Sequence, residues 1–217
     1  MRIHIGCGST LLDGFINVDN SPTVFLSRLP LPLLTLLRKL SLLNKDQWGF
    51  ARSVKHGKKD VRYANCLKLP FKNDSVDFCY SSHMLGWCLS HNQVRRFLQE
   101  LHRVLKPGAG LRLSFLDFDR LVDDYRQNRD TILFTQKMPL GIREFDFRDK
   151  CKFLFSPNMQ NGIILNRETA SRLLEQHGFR DIRILQAGET TMPAERIGEV
   201  DLFQRQGESV YVECVKG

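Results

Sequence analysis

The sequence lacks an apolar run long enough to cross a membrane, and it lacks paired cysteine motifs. Its longest uncharged leucine-rich run covers residues 29–37, far short of the roughly 20 residues that a membrane span needs. The chain opens on a strand-like pattern, so we expect no secretory leader. None of the six cysteines forms a C-x-x-C pair, which argues against a zinc site or a disulfide framework. These absences predict a cytoplasmic protein without a metal.

Acidic residues are scarce in one part of the chain. The net charge is +8, and between Arg38 and Arg62 eight lysines and arginines stand against Asp46 and Asp60. Such a segment is usually a solvated surface. With the leucines before it, however, it resembles an interfacial helix followed by a polybasic stretch, which predicts that 23–60 touches anionic lipid or a phosphate-bearing substrate. No recognition helix, zinc finger or RNA-binding aromatic motif supports a nucleic-acid partner.

Short strand-like runs alternate with amphipathic helical patterns along the chain. The pattern predicts strands at 2–5, 14–20, 61–65, 76–82, 111–115, 181–185 and 209–215. The clearest helix covers residues 90–105, where Ser90 and Gln93 form a capping-box pattern, and further helices begin after Asp117 and Asn166. Strands alternating with helices predict an α/β doubly wound, mostly parallel sheet in a three-layer sandwich.

The segment between the second and third predicted strands breaks this alternation. Residues 23–43 are leucine-rich, but Pro30 and Pro32 interrupt the helical spacing, and the stretch through Lys59 has the composition of an irregular basic loop. Residues 128–165 are poorly patterned. We therefore expect one domain over 1–217, with an insertion at about 23–60 and a substrate cap at about 128–165.

Two glycines and an aspartate follow the first two predicted strands. Gly6 and Gly8 bracket Cys7 after the first strand, and Asp19 ends the second. Ligands of parallel sheets bind beyond the carboxyl ends of the strands, and a carboxylate there accepts hydrogen bonds from ribose hydroxyls. The pattern indicates a nucleoside-bearing cofactor without saying which one. The alternative role for Asp19 is to cap a turn with Asn20 and Ser21.

Five ordered blocks resemble the motifs of class I S-adenosylmethionine-dependent methyltransferases, most closely the short type-11-like family. The blocks are IHIGCGST, GFINVDN, ANCLKLPFKNDSVDFCYSSHML, FLQELHRVLKPGAGLRLSFLD and GESVYVECVK. The resemblance implies a Rossmann-like sheet with an antiparallel C-terminal strand, and S-adenosyl-L-methionine as the cofactor with S-adenosyl-L-homocysteine as its product.

The resemblance also assigns a cofactor site. The residues that it implies are Gly6, Cys7, Gly8, Asp19, Asn20, Asn65, Cys66, Leu67, Ser81, Ser82 and His83. The glycine loop would line the methionine end, Asp19 would hold the ribose, and Asn65 would border the adenine. His83, beside the methyl group, is a candidate general base because histidine titrates near neutrality. Asp117 is a second catalytic candidate, although an N-cap role also suits it.

Several positions depart from the family pattern. They are His4, Thr10, Asn65, Gly86, Trp87 and Asn161. Together they reduce the supply of acid–base groups, so two functions stay open. One is a cytoplasmic, membrane-peripheral methyltransferase acting on an anionic small-molecule, glycan or lipid-linked acceptor. The other is a catalytically degenerate S-adenosylmethionine-binding protein with a regulatory role.

Overall fold

The computed structural model of the chain describes residues 1–57, 61–85, 89–138, 163–192, 201 and 207–217. Its strands are β1 (Arg2–Ile5), β2 (Ile16–Asp19), β3 (Val61–Tyr63), β4 (Val76–Ser82), β5 (Leu105–Leu116), β6 (Phe179–Leu185) and β7 (Ser209–Lys216). Its helices are α1 (Thr23–Leu26), α2 (Leu31–Lys39), α3 (Lys45–Gly57), α4 (His91–Val104), α5 (Phe118–Asn128), α6 (Thr131–Lys137) and α7 (Arg167–Gln176). None of these helices is long and apolar enough to cross a bilayer.

The seven strands form one sheet in the order β3-β2-β1-β4-β5-β7-β6. The first five in that order pair in parallel, and β7 runs antiparallel to both of its neighbours. This confirms the predicted α/β sheet with its antiparallel C-terminal strand. The chain order reverses between β1 and β4, and the carboxyl ends of strands at such a switch point are where α/β sheets bind ligands.

Local signals fix the helices that support this sheet. Ser90 and Gln93 make the predicted capping box at the start of α4, and the Asn166 side chain accepts a hydrogen bond from the Thr169 N–H at the start of α7. Both helices pack on the main apolar core. The largest difference from the predicted strand bounds is in β5, which begins at Leu105 directly after α4, six residues before the expected start.

The prediction of an irregular loop after residue 43 was wrong, because α3 is a helix. The Asn44 side chain accepts from the Gln47 N–H and the Gln47 side chain accepts from the Asn44 N–H, which caps the helix reciprocally. Phe50 and Ala51 are buried against α1 and α2. The sequence prediction missed this apolar face because lysines and arginines stand among its residues. The insertion at 23–60 and the cap at 128–165 stay predictions, and 139–162 lie outside the described residues.

One face of the sheet carries a row of buried polar side chains. Cross-strand register aligns five residues on β2, β1, β4, β5 and β7, namely Asn17, His4, Tyr80, Arg112 and Glu213. Each is at most 2% exposed. The opposite face carries the main apolar core and packs against α4 and α7. The two faces of the sheet are therefore chemically unlike.

Candidate cofactor and acceptor site

The glycine loop folds over the carboxyl ends of β1 and β2. The N–H groups of Gly6 and Cys7 both donate to the Val18 carbonyl, at 2.9 and 3.2 Å. Gly6 has φ +67°, and a Cβ atom there would lie 2.9 Å from the Met84 sulfur. Gly8 has φ +47°, and a Cβ atom there would meet nothing within 4 Å. The first glycine is thus required by close packing, and the second borders open space.

Asp19 joins this loop to the end of β2. Its Oδ2 atom accepts a hydrogen bond from the Gly8 N–H at 2.9 Å, and its Oδ1 atom accepts from the Ser21 N–H at 2.7 Å. The carboxylate is half-buried, and Asn20 beside it is exposed. Because an ionised carboxylate has about four acceptor positions, two of them stay available to hydroxyl donors. The structure therefore brings Gly6, Gly8 and Asp19 together.

Asn65 lies next to Asp19 at the end of β3. The Ala64 N–H donates to the Asp19 carbonyl at 3.0 Å, and the Asn65 Oδ1 atom accepts from the Leu67 N–H at 2.9 Å. Asn65 is exposed, whereas Cys66 is buried in the main apolar core with Leu67 packed partly against it. Of these three predicted residues, Asn65 has the side chain that is open to a ligand.

The carboxyl end of β4 holds the remaining predicted residues. The buried Ser81 hydroxyl donates to the Ile5 carbonyl at 3.0 Å, and Ser82 accepts from the Ser114 hydroxyl at 2.8 Å. His83 has φ +53°, a left-handed conformation that is uncommon outside glycine. Its N–H donates to the Ser114 carbonyl at 2.7 Å. The backbone thus turns sharply where the methyl group was predicted.

The His83 ring lies against β7. Its Nε2 atom is 3.0 Å from the Ser209 hydroxyl, and its Nδ1 atom is buried. Ser209 also hydrogen-bonds Tyr211. Sequence reasoning missed Ser209 because β7 is distant in the chain and its first residue reaches β4 only through the antiparallel arrangement.

Asp117 is fully buried at the start of α5. Its side chain accepts from the Asp119 N–H at 3.1 Å, and it pairs with the Arg167 Nε atom at 3.2 Å. This is the geometry of a helix N-cap. The catalytic assignment of Asp117 stays a prediction.

Two titratable groups near the loop are neutral at physiological pH. Burial lowers the pKa of His4 to about 4, and burial followed by the Asp19 charge raises the pKa of the Cys7 thiol. Cys7 packs with Val24 and Phe50. Of the other departures, Thr10 donates its N–H to the Cys7 carbonyl at 2.9 Å, whereas Gly86, Trp87 and Asn161 lie outside the described residues.

Comparisons with known proteins match part of this chain to a methyltransferase domain. The family model described as "Methyltransferase domain", of type 11, matches residues 43–113. The biotin biosynthesis bifunctional protein BioHC of Cellvibrio japonicus (strain Ueda107) is 39% identical over 74 residues, which are 34% of this chain and 14% of that protein. The chain therefore matches only a small part of that relative.

Two solved structures share the fold. A SAM-dependent methyltransferase of Thermotoga maritima is 18% identical with a TM-score of 0.50, and covers 100% of this chain and 81% of its own. One from Methanosarcina mazei is 16% identical with a TM-score of 0.51, and covers 99% of this chain and 91% of its own. At these identities the likeness shows the fold.

Proposed function

We propose that this chain is a class I S-adenosylmethionine-dependent methyltransferase, like the family whose model matches residues 43–113, and that it methylates an anionic acceptor bound beyond the carboxyl ends of β1, β2 and β4. One observation carries the proposal. The Asp19 carboxylate is held by the Gly8 and Ser21 N–H groups next to the glycine loop, at the switch point of the sheet. This is where a nucleoside-bearing cofactor binds in such folds.

The residues present fit S-adenosylmethionine. Asp19 has free acceptor positions for ribose hydroxyls, Asn65 is exposed beside it, and the space next to Gly8 is open. When bound, this cofactor supplies a methyl group that its sulfonium has already activated. The protein then mainly has to hold the acceptor in line and exclude water.

We propose that His83 is the general base that takes the proton lost by the acceptor. Histidine is a common general base in enzymes, and the left-handed backbone of His83 is a kind of strain that clusters at functional sites. Because Nδ1 is buried, a hydroxyl or amine acceptor would lose its proton to Nε2 as the methyl group arrives. The acceptor would then take the place beside Nε2 that the Ser209 hydroxyl occupies in this structure.

The charge of the chain favours an acceptor with phosphate or carboxylate. In residues 38–62, on α3 and the segments beside it, eight lysines and arginines stand against two aspartates. Exposed charges attract ligands of opposite charge over about 10 Å at moderate salt. Small metabolites, glycans and lipid-linked glycans with such groups all fit. We place the protein in the cytoplasm at the membrane periphery, in line with the leucines of 23–43.

Isothermal titration with S-adenosylmethionine and S-adenosylhomocysteine tests the cofactor site. Asp19→Ala should weaken binding by about 1–3 kcal/mol, because it removes a charged hydrogen-bond partner. Asp123→Ala is the control, since Asp123 is 61% exposed on α5. Unchanged affinity in Asp19→Ala would remove Asp19 from the site. If the parent protein binds neither ligand, the proposal fails.

Turnover tests the acceptor class. Release of S-adenosylhomocysteine should rise with phosphate- or carboxylate-bearing acceptors and fall with salt. Charge reversal at Lys55, Lys58 and Lys59, the last two of which lie outside the described residues, should lower turnover without changing cofactor affinity. The control is Lys72→Glu, because Lys72 is an exposed lysine before β4. If turnover changes neither with salt concentration nor with charge reversal at these lysines, an anionic acceptor is excluded.

The second candidate is a cofactor-binding protein without turnover. It is favoured by the neutral state of His4 and Cys7 and by the engagement of His83 Nε2 with Ser209. Such a protein would bind S-adenosylmethionine with the same dependence on Asp19. It would release no S-adenosylhomocysteine with any acceptor, whereas the enzyme would.

A further inference from the structure

The α2 segment exposes five leucines that we call the leucine face. They are Leu31, Leu33, Leu36, Leu40 and Leu42, with exposed fractions of 42%, 41%, 51%, 58% and 64%. The helix is already anchored through its other side, because Leu34 is fully buried with Leu43 and Ala51. Folding of this part of the chain therefore does not explain the leucine face. Clustered apolar exposure of this kind marks an interaction surface.

The charged residues of the chain segment that carries the leucine face, residues 20–45, have one sign. Residues 20–45 contain no aspartate or glutamate. They contain four cations, and all four are exposed: Arg28, Arg38, Lys39 and Lys45. Exposed leucines that share a chain segment with exposed cations match a surface that offers hydrocarbon below a layer of negative charge. A bilayer containing anionic lipid is such a surface.

We propose that the leucine face docks this protein onto the surface of a bilayer that contains anionic lipid. With nine residues, α2 is far too short to span, so it lies in the interface. A second copy of the chain fits less well. Two copies joined through this face would bring their cations together, and like charges at close range repel.

The helix α1, which precedes the leucine face in the chain, packs at the carboxyl edge of the sheet. Its Val24 packs with Cys7 of the glycine loop, and its Phe25 ring lies 4.9 Å from the ring of Tyr63, the last residue of β3. Docking would therefore bring the cofactor loop close to lipid headgroups. In placing the acceptor at the membrane, this inference rests on the methyltransferase activity proposed above. It makes a lipid or lipid-linked molecule with an anionic headgroup the favoured acceptor.

Vesicle co-sedimentation tests the docking separately from catalysis. The full chain should sediment with phosphatidylcholine vesicles that contain about 30% phosphatidylserine, and much less with phosphatidylcholine alone. Leu36→Glu with Leu40→Glu should lower the bound fraction at least tenfold. Ile132→Glu is the matched control, because Ile132 is a 69% exposed apolar residue on α6. Lys39→Glu should lower binding a few-fold in a salt-sensitive way, whereas Lys72→Glu should not.

Three results would overturn the inference. They are no sedimentation with either vesicle, equal sedimentation with both, and a dimer in solution that the double leucine variant dissociates. Thermal melting and titration with S-adenosylhomocysteine run on the same variants. Because the mutated leucines are exposed, both readouts should match the parent. A parent that binds the cofactor but not vesicles would refute the docking alone, and one that binds vesicles but not the cofactor would refute the proposed function.

Discussion

The Nε2 atom of His83 lies 3.0 Å from the Oγ atom of Ser209, although 126 positions separate the two residues. The contact joins the carboxyl end of β4 to the first residue of β7. It fixes the ring of a histidine whose backbone is already held in a left-handed turn. An imidazole fixed at both its backbone and its ring has few orientations, which suits a group that must meet an acceptor in one position.

Replacing His83 should separate its structural role from its chemical role. His83→Ala and His83→Gly both remove the imidazole, but only glycine adopts φ +53° without steric cost. We expect the glycine variant to be more stable than the alanine variant by about 1 kcal/mol, measured by chemical denaturation. Methyl transfer should fall equally in both. Full activity in His83→Gly would show that the imidazole takes no part.

Gly6 and Gly8 should respond differently to alanine. In Gly6→Ala the new methyl group would press on the Met84 sulfur, so unfolding free energy should drop by about 2 kcal/mol. In a double-mutant cycle, Gly6→Ala should cost less in a Met84→Ala background than in the parent, because the clashing sulfur is gone. In Gly8→Ala there is room, so we expect a smaller loss of stability but weaker S-adenosylhomocysteine binding in calorimetry. Equal stability losses would contradict this assignment of the two glycines.

The elements that could be predicted from sequence depend on local signals. The capping box at the start of α4 depends only on Ser90 and Gln93, three positions apart. The start of α2 likewise depends on a local signal, the proline at position 30. The glycine loop and Asp19 could be placed together because parallel strands bring their carboxyl ends to one edge. The helix α3 was missed because its basic composition was interpreted as a loop, although Phe50, Ala51 and Val54 stand at helical spacing.

The rest depends on contacts between distant parts of the chain. Ser209 reaches His83 only once β7 has inserted between β5 and β6. The members of the buried polar row could be seen in the sequence as polar residues inside strand-like runs. They are His4, Asn17, Arg112 and Glu213. A polar residue in such a run is normally taken as solvent-facing, and only the register shows that these residues align and are covered.

Arg112 should be essential for stability. It is fully buried, donates to Glu213 at 2.7 Å and pairs with Asp201, which is also buried. Arg112→Met would leave two buried carboxylates without their cation, so we expect a loss of about 3–5 kcal/mol in denaturant unfolding. Arg126→Met, in an exposed pair with Asp123, should change stability by less than about 1 kcal/mol. Similar effects of both variants would be inconsistent with a buried cluster.

The segment α1–α3 should open more readily than α4 and β5. Its buried residues form small clusters such as Leu34, Leu43 and Ala51, whereas α4 and β5 contribute to the main core. Local opening free energy follows the number of buried apolar contacts. Hydrogen exchange should therefore be faster at 23–57 than at 91–116. Equal protection of the two segments would show that the helices between β2 and β3 are an integral part of the core.

The free energy of unfolding should fall as the pH is lowered from about 7 to about 5, because His4 is then neutral in the folded state but takes up a proton in the unfolded state. Burial lowers the pKa of His4 to about 4, while the unfolded chain keeps the ordinary value of about 6.5. Between these values the unfolded state binds the extra proton, so the unfolding free energy rises with pH. From about pH 7 to about pH 5 we expect a loss of about 2 kcal/mol from this group. His4→Gln, which keeps a polar neighbour for Asn17, removes the titration. Denaturant unfolding of both proteins across this range should show a smaller pH slope in the variant, and identical slopes would mean that His4 has the same pKa in the folded and unfolded states.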